Sequence, residues 1–123
     1  MNRLALLLAL ATPLAAATSD PLAGRVAGKA ERCIPLGLLQ GPQIVDDHTI
    51  LYRQSGKRVW RTGPVGNCGQ MRPLDTLIVE VYGGQLCAND RYRVLTPGLI
   101  IPGPYCRFQP FVPYDKPPTG RTG

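Results

Sequence analysis

The sequence predicts a mainly β protein, either a small barrel or a folded-over antiparallel sheet, cross-linked by two disulfides. Three observations carry that prediction. Short runs rich in β-branched and aromatic residues alternate with glycine- and proline-bearing turns. After residue 17 no long 3.6-residue apolar period is present. Cys33, Cys68, Cys87 and Cys106 are an even set in a short chain that opens with an export signal.

The opening, MNRLALLLALATPLAAATSDP, explains the compartment. Arg3 supplies a positive start and residues 4–11 an apolar run. Ala15, Ala16 and Ala17 offer the small residues of an A-x-A cleavage site, so residues 1–17 read as a secretory signal peptide. The run is shorter than the roughly 20 residues a membrane span needs, and Pro13 interrupts it. The expectation is an exported protein of the periplasm or cell envelope, with no membrane span after cleavage. Residues 18–32 read as a flexible N-terminal stretch, 33–114 as one small β domain and 115–123, rich in proline and glycine, as a disordered tail.

The net charge is +6, one unit of which belongs to Arg3. The basic residues are scattered, and the nearest approach to a cluster is Arg53, Lys57, Arg58 and Arg61 around one turn. Export argues against nucleic acid as a partner. An anionic envelope polymer or another exported protein suits the charge, which also serves solubility.

Taken in order, IPLGLLQ allows one helical turn, which Pro35 and Gly37 keep short. HTILYRQ and KRVWRT form a hairpin through Ser55 and Gly56. A two-residue turn sets Leu51 opposite Trp60. A three-residue turn with Gly56 at positive φ sets Leu51 opposite Val59. Both faces carry large apolar groups in either register, and Trp60 is expected to be at least half buried. PVGNCGQMRP is a loop. DTLIVEVY is a strand with Leu77, Val79 and Val81 on one face. Gly83 and Gly84 reverse it into QLC, and Asn89 and Asp90 turn the chain into RYRVL. TPGLIIPGP is a loop with an apolar middle, and YCRFQPFV is a last strand that Pro110 confines to an edge.

No C-x-x-C spacing is present, so the cysteines carry no zinc or thioredoxin-like signature. Of the three pairings, Cys68–Cys87 nested inside Cys33–Cys106 is preferred because it closes the domain near both ends. Each bridge is expected to contribute roughly 3–4 kcal/mol.

The chemistry-bearing candidate is Asp46, Asp47 and His48, the last being the single histidine. Aspartates before a strand bond nearby backbone N–H groups and shape turns. His48 then becomes the first residue of the strand. Catalysis or metal binding needs a third group, and Asp75, Glu80, Asp90 and Asp115 show no ligand spacing. No serine nucleophile and no phosphate-binding glycine loop is legible. No cofactor and no metal is expected.

CIPL at 33, VDDHTILYR at 45, KRVWR at 57, NCGQM at 67, QLCANDRYRVL at 85 and CRFQPFVPY at 106 occur in this order. With these pieces the chain resembles a family of small exported, cysteine-containing proteins of Gram-negative bacteria, a domain of unknown function. The resemblance covers about residues 31–114. It implies export, a β-rich domain and paired cysteines, and implies no activity. The family is not associated with histidine at position 48.

The reading is therefore an exported, non-enzymatic binding or structural domain. Its contact surface would be the basic hairpin tip with Tyr52, Arg53, Lys57, Arg58, Trp60 and Arg61. An alternative is a small hydrolase inhibitor presenting TPGLIIPGP, and a third is a small hydrolase using His48 with Asp46. Exposure of Ile100 favours inhibition, and a cleft containing His48 favours catalysis.

Overall fold

The structure is a computed structural model and describes residues 20–55 and 57–118. The signal peptide expected over 1–17, the positive φ expected at Gly56 and residues 119–123 lie outside the described residues. Among the described residues ten short strands follow in order: β1 (Val26–Ala27), β2 (Cys33–Pro35), β3 (Leu39–Asp46), β4 (Thr49–Gln54), β5 (Arg58–Thr62), β6 (Thr76–Val79), β7 (Gln85–Cys87), β8 (Arg91–Leu95), β9 (Cys106–Arg107) and β10 (Val112–Asp115). One 3-10 turn, Leu36–Leu38, supplies the helical turn expected in IPLGLLQ. The fold is mainly β, and its paired strands are antiparallel.

Three sheets surround one core: β1-β10-β5-β4-β3, β2-β7 and β6-β8-β9. They do not close into a barrel. Side chains from all three meet in a cluster that includes Ile34 of β2, Ile50 and Tyr52 of β4, Trp60 of β5, Leu86 of β7 and Tyr92 of β8. Phe108 and Phe111, on the approach to β10, fill its middle, with ring centroids 5.9 Å apart. Edge contacts from Tyr52 to both phenylalanines continue the aromatic packing. The segment 108–111 is tied to its neighbours by backbone. Phe111 and Glu31 exchange both hydrogen bonds, and Gln109 N–H donates to Gly63 O. The Thr62 hydroxyl, buried in this junction, donates to Gln109 O at 2.8 Å.

The hairpin register differs from both expected forms. Gln54 pairs with Arg58 and Tyr52 with Trp60, across a three-residue loop of 55–57. Ser55 itself adopts φ 42°. Tyr52 and Trp60 thereby share the core face with Ile50. Leu51 and Val59 point to the opposite face, and both are also buried. Their row neighbours include Gln43, Arg53, Arg61 and Tyr114, whose longer side chains flank them.

The disulfides are Cys33–Cys87 and Cys68–Cys106, so the nested pairing is corrected to an interleaved one. Cys33 and Cys87 are direct partners of β2 and β7, with Cα atoms 4.0 Å apart. Ala88 N–H bonds Arg32 O beside them, which makes the cysteine pair a non-hydrogen-bonded site, where strands approach closest. Cys106 on β9 reaches back to Cys68 in the loop after β5. The bridges span 54 and 38 positions, and each removes about 4 kcal/mol of chain entropy from the unfolded state.

Other boundaries shift. β3 lies where no strand was expected before residue 44, because Gly41 and Pro42 resemble a break. The register shift between Gln40 and Gln43 accommodates them on an edge strand. β1 and the end of β10 pair Val26 with Asp115, outside the 33–114 expected for the β domain. Gly83 and Gly84 reverse the chain at positive φ, as expected, but β7 leaves to pair with β2 while β6 pairs with β8. β6 stops at Val79, so Val81, expected on one face of this strand with Leu77 and Val79, lies beyond it and is exposed.

Candidate functional site

The residues expected to form one contact surface are divided among different surroundings. Trp60 is 2 % exposed, and Tyr52 is equally enclosed, so neither is available to a partner. The Trp60 Nε1–H donates to Gln54 Oε1 at 2.8 Å. Burial pushes the Tyr52 phenol well above its usual pKa, with the neighbouring Tyr92 adding to the shift. Arg58 stacks over the Trp60 ring, 5.1 Å from its centroid, and grips Asp115 through Nε and Nη2 at 2.8 and 2.7 Å. This bidentate bond holds the Asp115 carboxyl below the usual carboxylate range and raises the Arg58 pKa. Lys57 is exposed in the loop, where its carbonyl accepts from Arg25. Arg53 and Arg61 lie in rows of the opposite face and share no row with a carboxylate. Arg53 bonds Gln43 at 3.1 Å. The charge that looks concentrated in sequence is thus dispersed by strand alternation and by one ion pair.

His48 is not the first residue of a strand; it stands with Asp47 in the turn between β3 and β4. The turn role expected for Asp46 is present: its Oδ1 accepts the His48 N–H at 2.8 Å. Burial raises the Asp46 pKa, but this bond, a Thr49 side-chain bond and His48 outweigh it and leave the carboxyl below its usual value. Asp47 Oδ1 lies 3.4 Å from His48 Nε2. Adjacent side chains point to opposite faces along a strand, but in this turn they can approach each other. Both side chains are well exposed to solvent. The neighbouring groove is lined by Val45, Asp46, Asp47 and residues 70–73, and does not include His48. Among the described residues no three His, Cys, Asp or Glu side chains gather as a metal site.

The stronger site is the loop that joins β8 to β9. β8 and β9 pair Tyr92 with Cys106 and Arg91 with Arg107. Beyond these pairs Tyr105 stacks with Arg93, and the pairing then shifts by one residue, with Gly103 N–H bonding Val94 O at 2.8 Å. The loop beyond this bond is residues 96–102, and Leu99 and Ile101 line a cavity in it with Cys68, Gly69 and Gln70. A turn at Pro97 and Gly98 opens the loop, with Leu99 N–H on Thr96 O and Gly98 at φ 85°. At its tip Leu99, Ile100 and Ile101 are 59 %, 93 % and 75 % exposed.

This loop is held from below. Arg93 Nε donates to Gly103 O at 2.8 Å and Nη2 to Pro102 O at 3.1 Å. Arg91 and Arg93 both stack on Tyr105, 4.6 and 4.9 Å from the ring centroid. Cys106, next along the chain, carries the bridge to Cys68. Leu74, 84 % exposed, belongs to the turn before β6 and shares a groove with Thr96 and Pro97. The sequence marked the loop by its composition. It gave no sign of the Arg93 clamp, or of Leu74 standing beside the tip, because both depend on β6 and β9 flanking β8.

Among the described residues no helix is long and apolar enough to cross a membrane. No protein-family model, curated protein or solved structure matches this chain.

Proposed function

We propose that this protein is an exported, non-enzymatic binding module whose contact element is loop 96–105. The observation that carries this reading is the outward display of Leu99, Ile100 and Ile101 on a clamped base. Isolated exposed aliphatic residues are ordinary, but a contiguous apolar tip marks an interaction site. The Arg93 bonds and the Cys68–Cys106 bridge restrain the loop before binding, which lowers the entropy lost on association. Two disulfides fit an oxidising, exported compartment. The A-x-A ending at Ala17 and the resemblance to an exported family support the same location.

The exposure of Ile100 also favours inhibition of an exported hydrolase over catalysis at His48. Capture from an extract of the exported compartment tests the contact element. Ile100→Asp should lose partners that the wild type retains, whereas Arg53→Gln with Arg61→Gln should keep them. The reverse pattern would assign contact to the basic sheet face and sink the loop reading.

A further inference from the structure

Resting on the reading of loop 96–105 as the contact element, the geometry points to an anionic phospholipid surface as its partner. Leu99, Ile100 and Ile101, with Leu74 beside them, enter the outer apolar layer, while Arg93, Tyr105 and Arg107 lie among the headgroups. The first support is chemical. From Pro97 to Pro104 the loop has no polar side chain. The Tyr and Arg side chains that anchor protein interfaces stand only at the base of the loop, as Tyr105 with Arg91 and Arg93. A bilayer asks only for apolar area.

The second support is the backbone. Groups entering hydrocarbon must not leave hydrogen bonds unmade. Pro97, Pro102 and Pro104 have no N–H to satisfy. Leu99 and Gly103 N–H groups are already bonded to Thr96 and Val94 carbonyls. The carbonyls of Pro102 and Gly103 are taken by Arg93. The N–H groups of Gly98, Ile100 and Ile101 and the carbonyls of residues 97–101 make no bond within the fold, so the tip backbone stays at headgroup depth, in reach of water, while the side chains insert.

The third support is depth order along the hairpin. At about 3.4 Å per residue, the Arg93–Tyr105 row lies about 7 Å behind Leu95, and the Arg91–Arg107 row about 14 Å behind it. Interfacial elements bury about 5–10 Å into a membrane surface. Aliphatic tip, then one aromatic with one guanidinium, then a pair of guanidiniums is the order such a surface requires. The charge has the matching sign. Arg72, Arg91, Arg93 and Arg107 outnumber the two carboxylates nearby, Glu80, which pairs with Arg91, and Asp75, which accepts from the Arg72 N–H at 2.9 Å.

Co-sedimentation of the disulfide-bonded protein with lipid vesicles tests this. Vesicles of phosphatidylcholine with one-third phosphatidylglycerol should bind it, and pure phosphatidylcholine should bind it far less. Ile100→Asp should weaken binding at least about tenfold, and Arg107→Gln about fivefold at low salt. Both positions are exposed, and unchanged thermal unfolding verifies their fold. Absence of binding to the anionic vesicles, or binding indifferent to Ile100→Asp, overturns the lipid assignment. If Ile100→Asp then still abolishes capture of a protein, the contact loop stands and only its lipid partner falls. If Ile100→Asp disturbs neither vesicle binding nor capture, both readings fall together.

Discussion

Trp60→Ala tests the arrangement on which the hairpin and its two faces depend. The indole is almost wholly enclosed and lies opposite Tyr52, in the sheet row that faces Phe108 and Phe111. A buried tryptophan removes up to about 250 Å² from water. At about 25 cal/mol per Å² that area corresponds to about 6 kcal/mol as an upper bound. The alanine methyl retains part of it, and the site relaxes only partly around the cavity. The lost Nε1–H bond to Gln54 adds about 1 kcal/mol, since Gln54 is partly exposed and can be rehydrated. The expected loss is about 4–5 kcal/mol, near the top of the range for large-to-small aromatic changes. Small domains have about 5–15 kcal/mol in total, so the variant should unfold at far lower urea. Unfolding should be followed by far-ultraviolet circular dichroism with both disulfides intact, because the mutation removes the single tryptophan fluorophore. A loss under about 1 kcal/mol would mean that Trp60 faces solvent and would refute its place in the core.

Five further outcomes follow from particular contacts. The Tyr92 hydroxyl is fully buried without a hydrogen-bond partner, and burial pushes its pKa up to about 12. Tyr92→Phe should therefore raise stability by about 1 kcal/mol in thermal unfolding, and a comparable loss would show that the hydroxyl is bonded. A Cβ at Gly63 would overlap the His48 carbonyl oxygen, which is backbone and cannot swing aside. Gly63→Ala should cost about 2–3 kcal/mol by urea titration, and a neutral result would refute that close approach. Asp46→Ala should cost about 1 kcal/mol through its bond to His48 N–H. His48→Ala should change stability by less than about 0.5 kcal/mol and leave binding unaltered; selective loss of function in that folded variant would restore the acid–histidine site. Asp115 has a lowered pKa in the fold, relative to an ordinary 3.8. Its contribution is present above that value and disappears as pH falls through the lower folded value. The pair is exposed, so Asp115→Asn should cost at most about 1 kcal/mol near neutral pH and nothing in strong acid. An equal loss at both pH values would contradict the ion-pair account.

What the sequence determined by itself is local. The β-branched and aromatic residues of HTILYRQ and KRVWRT announced β4 and β5 and the burial of Trp60. Asp46 announced its own turn, because a short carboxylate reaches the backbone N–H two residues on whatever the rest of the fold does. The glycines at 83 and 84 marked a reversal, and PGLIIPGP marked a loop, for similarly local reasons. An even set of cysteines in this context implied two bridges.

Tertiary structure decided everything that depends on which strand lies beside which. Cys33 meets Cys87 because β2 chooses β7, a contact 54 positions apart that no cysteine spacing encodes. The hairpin loop of three residues placed Tyr52 with Trp60 inside and sent Arg53 and Arg61 to the other face. A basic cluster in sequence consequently became no cluster in space. β3 survived Gly41 and Pro42 because an edge strand can bulge without breaking a second ladder. The display of Leu99, Ile100 and Ile101 required β8 to place Arg93 under the loop and β6 to bring Leu74 alongside. Short-range hydrogen bonds and side-chain alternation are written residue by residue. Strand partnership is a choice among distant segments, settled by how well the whole core packs.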